Sequence, residues 1–350
     1  MKAAVMTELR KPLEIMDLPD PVPGPDDALV RVEACGICRS DWHIWQGDWS
    51  WVGIQPQLPL VLGHEMAGVV EAVGPGVRSF RAGDRVTLPF HMACGRCEYC
   101  QTGRSNICLA HGVIGTHFNG GYGHLVVIPA ADANLVRLPN QVDAVTAAAL
   151  GCRYMTSYHA LVDRAKLQPG EWVAVFGVGG VGLSAIQIAA ALGAQVIAVD
   201  LSEQKLRMAK AEGAAAVTDA HGKNTVEQIR EITQGGVDVA VDAVGVSETA
   251  LPGVQSIRKG GRHLQIGLTG AKDRGTLSLP VDAMLQQEIS FIPSLGCPTT
   301  SYRGLLALVA SGKLNPKRLV TRCLPVEQAS QVLDSMTNYN TVGFNVISQW

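Results

Sequence analysis

Residues 172–200 read WVAVFGVGGVGLSAIQIAAALGAQVIAVD. An apolar run ends at Phe176, the string Gly177-Val178-Gly179-Gly180-Val181-Gly182 follows, AIQIAAAL has the texture of a helix, and a second apolar run ends on Asp200. This is G-x-G-x-x-G between a strand and a helix, with an acidic residue eighteen positions beyond Gly182. The glycines allow a tight turn, close approach of backbone to a pyrophosphate and close helix packing, while the helix start offers unpaired N–H groups. Asp200 can accept from a ribose and would repel a 2′-phosphate, so the motif points to NAD over NADP. A glycine-rich turn without a ligand is the competing reading, and the three contextual matches together disfavour it.

The twenty-eight residues from Trp172 to Val199 carry no formal charge, which by length alone fits a membrane span. Five glycines and two glutamines interrupt them, so short strands joined by turns explain the stretch better. Downstream the texture repeats: SEQKLRMAKAEG (202–213) is helical, AAAVTD (214–219) strand-like, NTVEQIREIT (224–233) helical and VDVAVDAVG (237–245) strand-like. A segment around 251–257, HLQIGL (263–268) and an apolar run at 289–294 complete the pattern. Strands alternating with helices of about ten residues predict a parallel α/β sheet.

The first 150 residues differ. They are rich in Pro and Gly, with short Val-rich runs at 28–32, 67–73 and 84–88 and no long helix, which predicts a β-rich domain. LLALVASGKL (305–314) and EQASQVLDSM (327–336) read as closing helices. The whole chain has 350 residues, enough for about two domains. It is 47% hydrophobic and 17% charged, and its 38 glycines exceed the usual share of about 7%. A net charge of −2 provides no global field for nucleic acid or an anionic membrane, and neither partner is expected. The charged start MKAAVMTELRK lacks the apolar stretch of a signal peptide, which points to a cytoplasmic address.

Nine cysteines are present, and Cys94, Cys97, Cys100 and Cys108 fall within CGRCEYCQTGRSNIC. The spacing C-x2-C-x2-C-x7-C in a polar segment suits a closed tetrahedral zinc that contributes to folding. An iron–sulfur cluster is the rival, but the ferredoxin-like run closes with C-x3-C-P, and here the last gap is seven residues with no proline. A second group comprises Cys35-Gly36-Ile37-Cys38-Arg39-Ser40-Asp41-Trp42-His43, then Gly63-His64-Glu65 and, far downstream, Gly151-Cys152.

Gly63-His64-Glu65-Met66-Ala67-Gly68, continuing to Gly74-Pro75-Gly76-Val77, resembles the G-H-E-x2-G-x5-G-x2-V signature of zinc-dependent alcohol dehydrogenases in the medium-chain dehydrogenase/reductase superfamily. Cys38-Arg39-Ser40-Asp41-Trp42-His43 resembles the family's C-[HR]-[ST]-D-x-H segment, and the likeness runs along essentially the whole chain. It is nearest to the microbial branch of about 350 residues. The resemblance implies a doubly wound Rossmann NAD-binding domain at 154–294 and a GroES-like β-rich catalytic domain formed by 1–153 and 295–350. It further implies that Cys38, His64 and Cys152 bind a catalytic zinc, with the fourth position left for water or substrate.

By the same resemblance Ser40 hydrogen-bonds the substrate oxygen and His43 passes the proton outward, while Asp41 and Glu65 lie behind the ligands, Asp41 orienting the imidazole. Arg39 is expected to face the pyrophosphate and Lys205 the adenosine ribose, joining Gly177, Gly179, Gly180, Val181, Gly182 and Asp200 as cofactor contacts. Trp49 and Phe90 are expected beside the zinc, narrowing the pocket toward small, mainly primary alcohols and their aldehydes. Cys35 is read as packing. Two departures stand out: Gly343-Phe344 occupies the place where relatives often have Gly-Arg, and Pro293 to Pro298 differs from the usual G-S-x-x-G-[TN]-R segment.

The expected cofactors are NAD and two zinc ions per chain, and the expected assembly is a homodimer or homotetramer pairing through strand 288–293. A polyol or secondary-alcohol dehydrogenase is the neighbouring alternative. A catalytically silent NAD-binding redox sensor is the alternative of another class, and Ser40 and His43 disfavour it because a sensor needs no proton relay.

Overall fold

The computed structural model describes residues 1–221, 224–270, 272–339 and 341–350. The chain divides into two compact units, Met1–Met155 with Gly296–Trp350, and Thr156–Leu295.

Thr156–Leu295 is built on six strands in the order Ala216–Asp219, Gln195–Asp200, Trp172–Phe176, Val237–Asp242, Ile257–Gln265 and Ser290–Pro293. Every neighbouring pair is parallel. The central strands are apolar on both faces because helices cover both sides, so they read as continuous Val-rich runs. Chain order runs outward one way from Trp172–Phe176 and then restarts beside it at Val237–Asp242. Ligands of such sheets bind at this switch point, beyond the carboxyl ends of the strands, where Gly177 begins its turn. Trp172 to Val199 thus resolves into strand, helix Gly180–Ala191 and strand. No described helix is long and apolar enough to cross a membrane.

The ambiguous segment at 251–257 is the end of helix Ser247–Gln255 and the start of the next strand. Pro252 and Gly253 inside that helix masked its periodicity, and Gly253 is needed because a side chain there would press on the His263 ring. The strand Ile257–Gln265 begins six residues before HLQIGL, since a shift in register near Gly260, which has φ +73°, hides its first half.

In the other unit the longest described sheet runs Val136–Arg137, Arg85–Thr87, Glu65–Val73, Ala28–Ile37, Phe344–Gln349 and Val320–Pro325, with Leu125–Ile128 also paired to Ala28–Ile37. The Val-rich runs at 28–32, 67–73 and 84–88 fall on these strands, and the longest described helix before residue 150 is Arg39–Gln46. The closing helices are Thr299–Ala310 and Ala329–Met336. The first starts six residues earlier than its apolar run and stops before Gly312, whose positive φ ends it. Buried Ile37, Ile44, Leu62, Met66, Tyr122 and Ile347 belong to one core that these strands share.

Candidate metal centres and cofactor turn

Strands Ala28–Ile37 and Glu65–Val73 are antiparallel with Gly36 opposite Glu65, so the residue after the first strand and the residue before the second meet at one end. Those residues are Cys38 and His64. Cys152 starts the helix Cys152–Tyr158, and Gly151 before it lets that helix approach, because a side chain there would collide with Glu65. Ligand atoms of Cys38, His64, Cys152 and Glu65 all lie within 4.8 Å of one another. Cys35 is buried outside this group, its thiol directed at the Gly36 carbonyl, in keeping with packing.

His64 is held from behind. Its Nδ1 lies 2.9 Å from Asp41 Oδ1, while its buried Nε2 has no hydrogen-bond partner among the described residues and faces the thiols. Asp41 is fully buried and also accepts from the N–H groups of Cys38 and Gly63 and from the Tyr122 hydroxyl. An ionised Asp makes Nδ1 the protonated nitrogen, so Nε2 offers a lone pair. An orphaned imidazole nitrogen converging with two thiols is a fit for zinc, whose preferred donors are sulfur and nitrogen. Without metal, the hydrogen bond from Cys152 holds the Cys38 thiol well below its usual range, and the same bond, with burial, pushes Cys152 up.

Glu65 could close the site as a fourth donor, but Arg153 holds it. Arg153 donates its N–H and Nε to Oε1, at 3.1 and 2.9 Å, and pairs through Nη2 with Oε2. The guanidinium lies 3.8 Å above the Phe344 ring. Burial raises the Glu65 pKa to about 7 although Arg153 opposes it. A side chain at Gly36 would strike Glu65, so glycines at 36 and 151 both make room for this pair. Phe344, the departure seen in the sequence, is therefore a fully buried platform under Arg153.

Ser40 and His43 sit on the helix that starts after Cys38. Ser40 Oγ is 3.7 Å from Cys38 Sγ, and His43 Nδ1 is 2.6 Å from Asp48 Oδ2. Trp49 stacks on His43 at 4.5 Å, and the Phe90 ring meets His64 edge-on at 5.9 Å. Both expected pocket residues thus adjoin His43 or His64. The Arg39 guanidinium lies between the rings of Trp42 and Tyr339, 3.7 and 4.3 Å from their centroids, and donates to the Met336 carbonyl.

Cys94, Cys97, Cys100 and Cys108 also bring their sulfurs within 4.8 Å of one another. Cys97 Sγ is 3.5 Å from Cys100 Sγ and 3.8 Å from Cys108 Sγ. A tetrahedron with Zn–S of about 2.3 Å has edges of about 3.8 Å, so one ion fits between them. An iron–sulfur cluster would interpose irons and sulfides and spread the thiols wider. Backbone N–H groups of Leu109 and Cys100 lower Cys97 to about 6, while burial raises Cys100 to about 12.

In the other unit, Gly177 has φ +86°, a side chain at Gly182 would collide with the Gly177 carbonyl, and a side chain at Gly179 would project into open space. The first two match the tight turn and the close packing that the motif assigns, and the open space at Gly179 leaves room for a ligand to approach the backbone. Gly180 and Val181 open the helix. Asp200 accepts from the N–H groups of Val178 and Ser202, at 2.7 and 2.9 Å, which ties its carboxylate to the turn. Lys205 lies on the next helix, its N–H donated to the capping Ser202 hydroxyl.

Residues that the sequence reading did not assign are Tyr122, Arg153, Asp48 and Tyr339. Only Asp48 carried a local signal, lying five residues after His43 and directly after the glycine that can end its helix.

Residues 24–140 match the family described as alcohol dehydrogenase GroES-like domain, and 180–311 match zinc-binding dehydrogenase. The chain is 36% identical to an alcohol dehydrogenase of Geobacillus stearothermophilus over 96% of each chain. It is 35% identical to an NAD-dependent alcohol dehydrogenase of Sulfurisphaera tokodaii over 99% of each. Its fold superposes on the alcohol dehydrogenase TADH from Thermus sp. ATN1 with a TM-score of 0.92 and 33% identity, covering 100% of both chains. This chain belongs to the zinc-binding alcohol dehydrogenase family.

Proposed function

We propose that this protein oxidises small, mainly primary alcohols to aldehydes, reversibly, with NAD as hydride acceptor. The observation that carries the reading is the buried convergence of Cys38, Cys152 and the unpartnered His64 Nε2, with Ser40 and His43 on the adjoining helix turn. Cys38, His64 and Cys152 would hold one zinc, which when bound supplies a Lewis acid that lowers the pKa of a hydroxyl beside it. The four-cysteine lobe would hold a second zinc with no open position, giving two per chain.

The protein's own groups do the rest. Asp41 fixes the His64 tautomer and the direction of Nε2. Arg153 keeps the Glu65 carboxylate engaged, so that it does not compete with substrate oxygen. Ser40 takes up the substrate hydroxyl proton as it gives up its own, and His43 carries a proton outward; burial holds the His43 pKa below its ordinary value, so the neutral ring that can accept a proton prevails near neutrality. Gly177, Gly179, Gly180, Val181, Gly182, Asp200 and Lys205 would hold the NAD, with Asp200 accepting from the ribose and rejecting a 2′-phosphate. Arg39 would face the pyrophosphate. Trp49 and Phe90 supply bulk that favours small substrates.

A cytoplasmic homodimer or homotetramer completes the reading. Its support is the edge strand Ser290–Pro293, with half-buried Phe291 and Ile292, in the same unit as exposed Val281 and Leu285.

The test is initial rates on ethanol, propan-2-ol and sorbitol with NAD and with NADP, alongside zinc per chain. Fastest turnover of ethanol with NAD is expected. Preference for propan-2-ol or sorbitol would replace the substrate class, and a zinc-replete chain that binds NADH yet oxidises no alcohol would replace the enzyme by a sensor.

A further inference from the structure

The helix Arg39–Gln46 ends at Gly47, which takes a left-handed φ of +70° and returns its N–H to the Ile44 carbonyl at 3.1 Å. Asp48 then donates its own N–H to the His43 carbonyl at 3.0 Å. This helix-ending turn needs the left-handed conformation that glycine adopts without strain. It folds the chain back so that the Asp48 side chain returns to the ring of His43, five residues earlier. The 2.6 Å contact between Asp48 Oδ2 and His43 Nδ1 follows from that turn.

The ring is held on its other sides too. Trp49 stacks on it with an interplanar angle of 13°, and Trp42 meets it edge-on at 5.0 Å. A carboxylate oxygen only accepts, so Nδ1 is the protonated nitrogen and, in the neutral ring, Nε2 retains its lone pair.

We propose that Asp48 is a positioning residue for alcohol oxidation: by accepting from His43 Nδ1 it fixes the tautomer whose Nε2 can take up the proton released by the substrate. The inference rests on the function proposed above for the source of that proton, and on geometry for everything else. No bond to carbon is involved; a proton moves onto Nε2 while the Nδ1 proton stays with the Asp48 hydrogen bond, and the imidazolium then loses a proton to solvent. Burial opposes charge on His43, the Asp48 hydrogen bond favours it, and Arg39 on the same helix opposes it. An amide at position 48 can donate to Nδ1 and move the ring proton to Nε2, where it blocks acceptance.

The test uses the zinc-loaded full chain with Asp48→Asn, Asp48→Glu and Asp48→Asn combined with His43→Gln. Nitrogen-15 shifts of the His43 ring should report the Nδ1-protonated tautomer in the wild type and the other one in Asp48→Asn. The kcat of Asp48→Asn should fall about 10–100-fold with KM little changed, as when a group orienting a functional imidazole is removed. The acid limb of its pH profile should move to lower pH, and Asp48→Glu should recover part of the loss. In the His43→Gln background Asp48→Asn should cost nothing further. An unchanged tautomer in Asp48→Asn, an undiminished kcat, or an equal loss with and without His43 would overturn the proposal. A wild type that oxidises no alcohol would overturn the function itself, and an active wild type indifferent to Asp48→Asn would overturn only this role.

Discussion

The two sulfur-rich sites reach their geometry by opposite routes. Cys94, Cys97, Cys100 and Cys108 come from fifteen consecutive residues, and three of the four are half-exposed. Short turns bring them together, and Ser105 and Gly103 are hydrogen-bonded to Thr299 and Thr300. Among the described residues no buried charged or aromatic partner stands behind the four sulfurs in the way Asp41 and Arg153 stand behind the other site, so a bound ion would be their main tie. Cys38, His64 and Cys152 come from two strand ends and a helix start, and fixed partners surround them: Asp41 with its donors, Tyr122, and the Glu65–Arg153 pair on Phe344. Here packing makes the site before any ion arrives. The lesson is that a site built by local chain depends on its metal for order, whereas one built by the fold can spend its metal on chemistry.

The largest expected effects form a crossed pair that breaks this contrast if it fails. His64→Ala should remove one zinc equivalent and lower alcohol oxidation by about a thousandfold or more, with a small change in thermal unfolding. Cys97→Ser should do the reverse, lowering the unfolding temperature most. Metal analysis with calorimetry and initial rates checks both, and equal stability losses would erase the distinction.

Arg153→Leu comes next. It leaves the Glu65 carboxyl buried without its cation, which should cost about 3–5 kcal/mol in urea unfolding. Adding Glu65→Gln should recover much of that loss; if the double variant is no more stable than the single, the pair does not hold the buried site together.

Asp41→Asn should weaken zinc binding at the buried site about 10–100-fold and leave the lobe untouched, as measured by competition with a chelator. Equal weakening at both sites would mean that Asp41 acts on the whole fold.

The smallest effect separates acid unfolding of the other unit from acid loss of metal. His263 is buried, stacked on Phe291 at 5.0 Å, and its pKa is lowered by that burial. The unfolded chain therefore binds the extra proton first, so stability present above about pH 6.5 declines as the pH falls below it. His263→Asn should flatten the slope of urea midpoint against pH between about 7 and about 5; an unchanged slope would assign the acid sensitivity elsewhere.

Much of this was readable in advance where the deciding partners are neighbours in the chain. The turn at Gly177 and the acid at Asp200 belong to one strand–helix–strand unit, and the four cysteines to one loop. Arg39 shows the limit. The resemblance implies a pyrophosphate contact for it, but what holds its guanidinium, the rings of Trp42 and of Tyr339 near the far end of the chain, is visible only in the fold. The helix at 247–255 was obscured for a local reason, because Pro252 and Gly253 mask a periodicity that packing against the sheet overrides.

By itself the sequence determined the strand–turn–helix unit, the sulfur lobe and the chemistry of each donor, because backbone conformation and metal preference act over a few residues. Only the tertiary structure decided that Arg153 clasps Glu65 over Phe344, that Tyr122 and two backbone amides hold Asp41, and that His64 is left with one bare nitrogen. Apart from the Cys38 amide, three residues before Asp41, those partners are far apart in the chain, and burial makes each buried charge or dipole costly unless another meets it, so the fold is what selects the pairs.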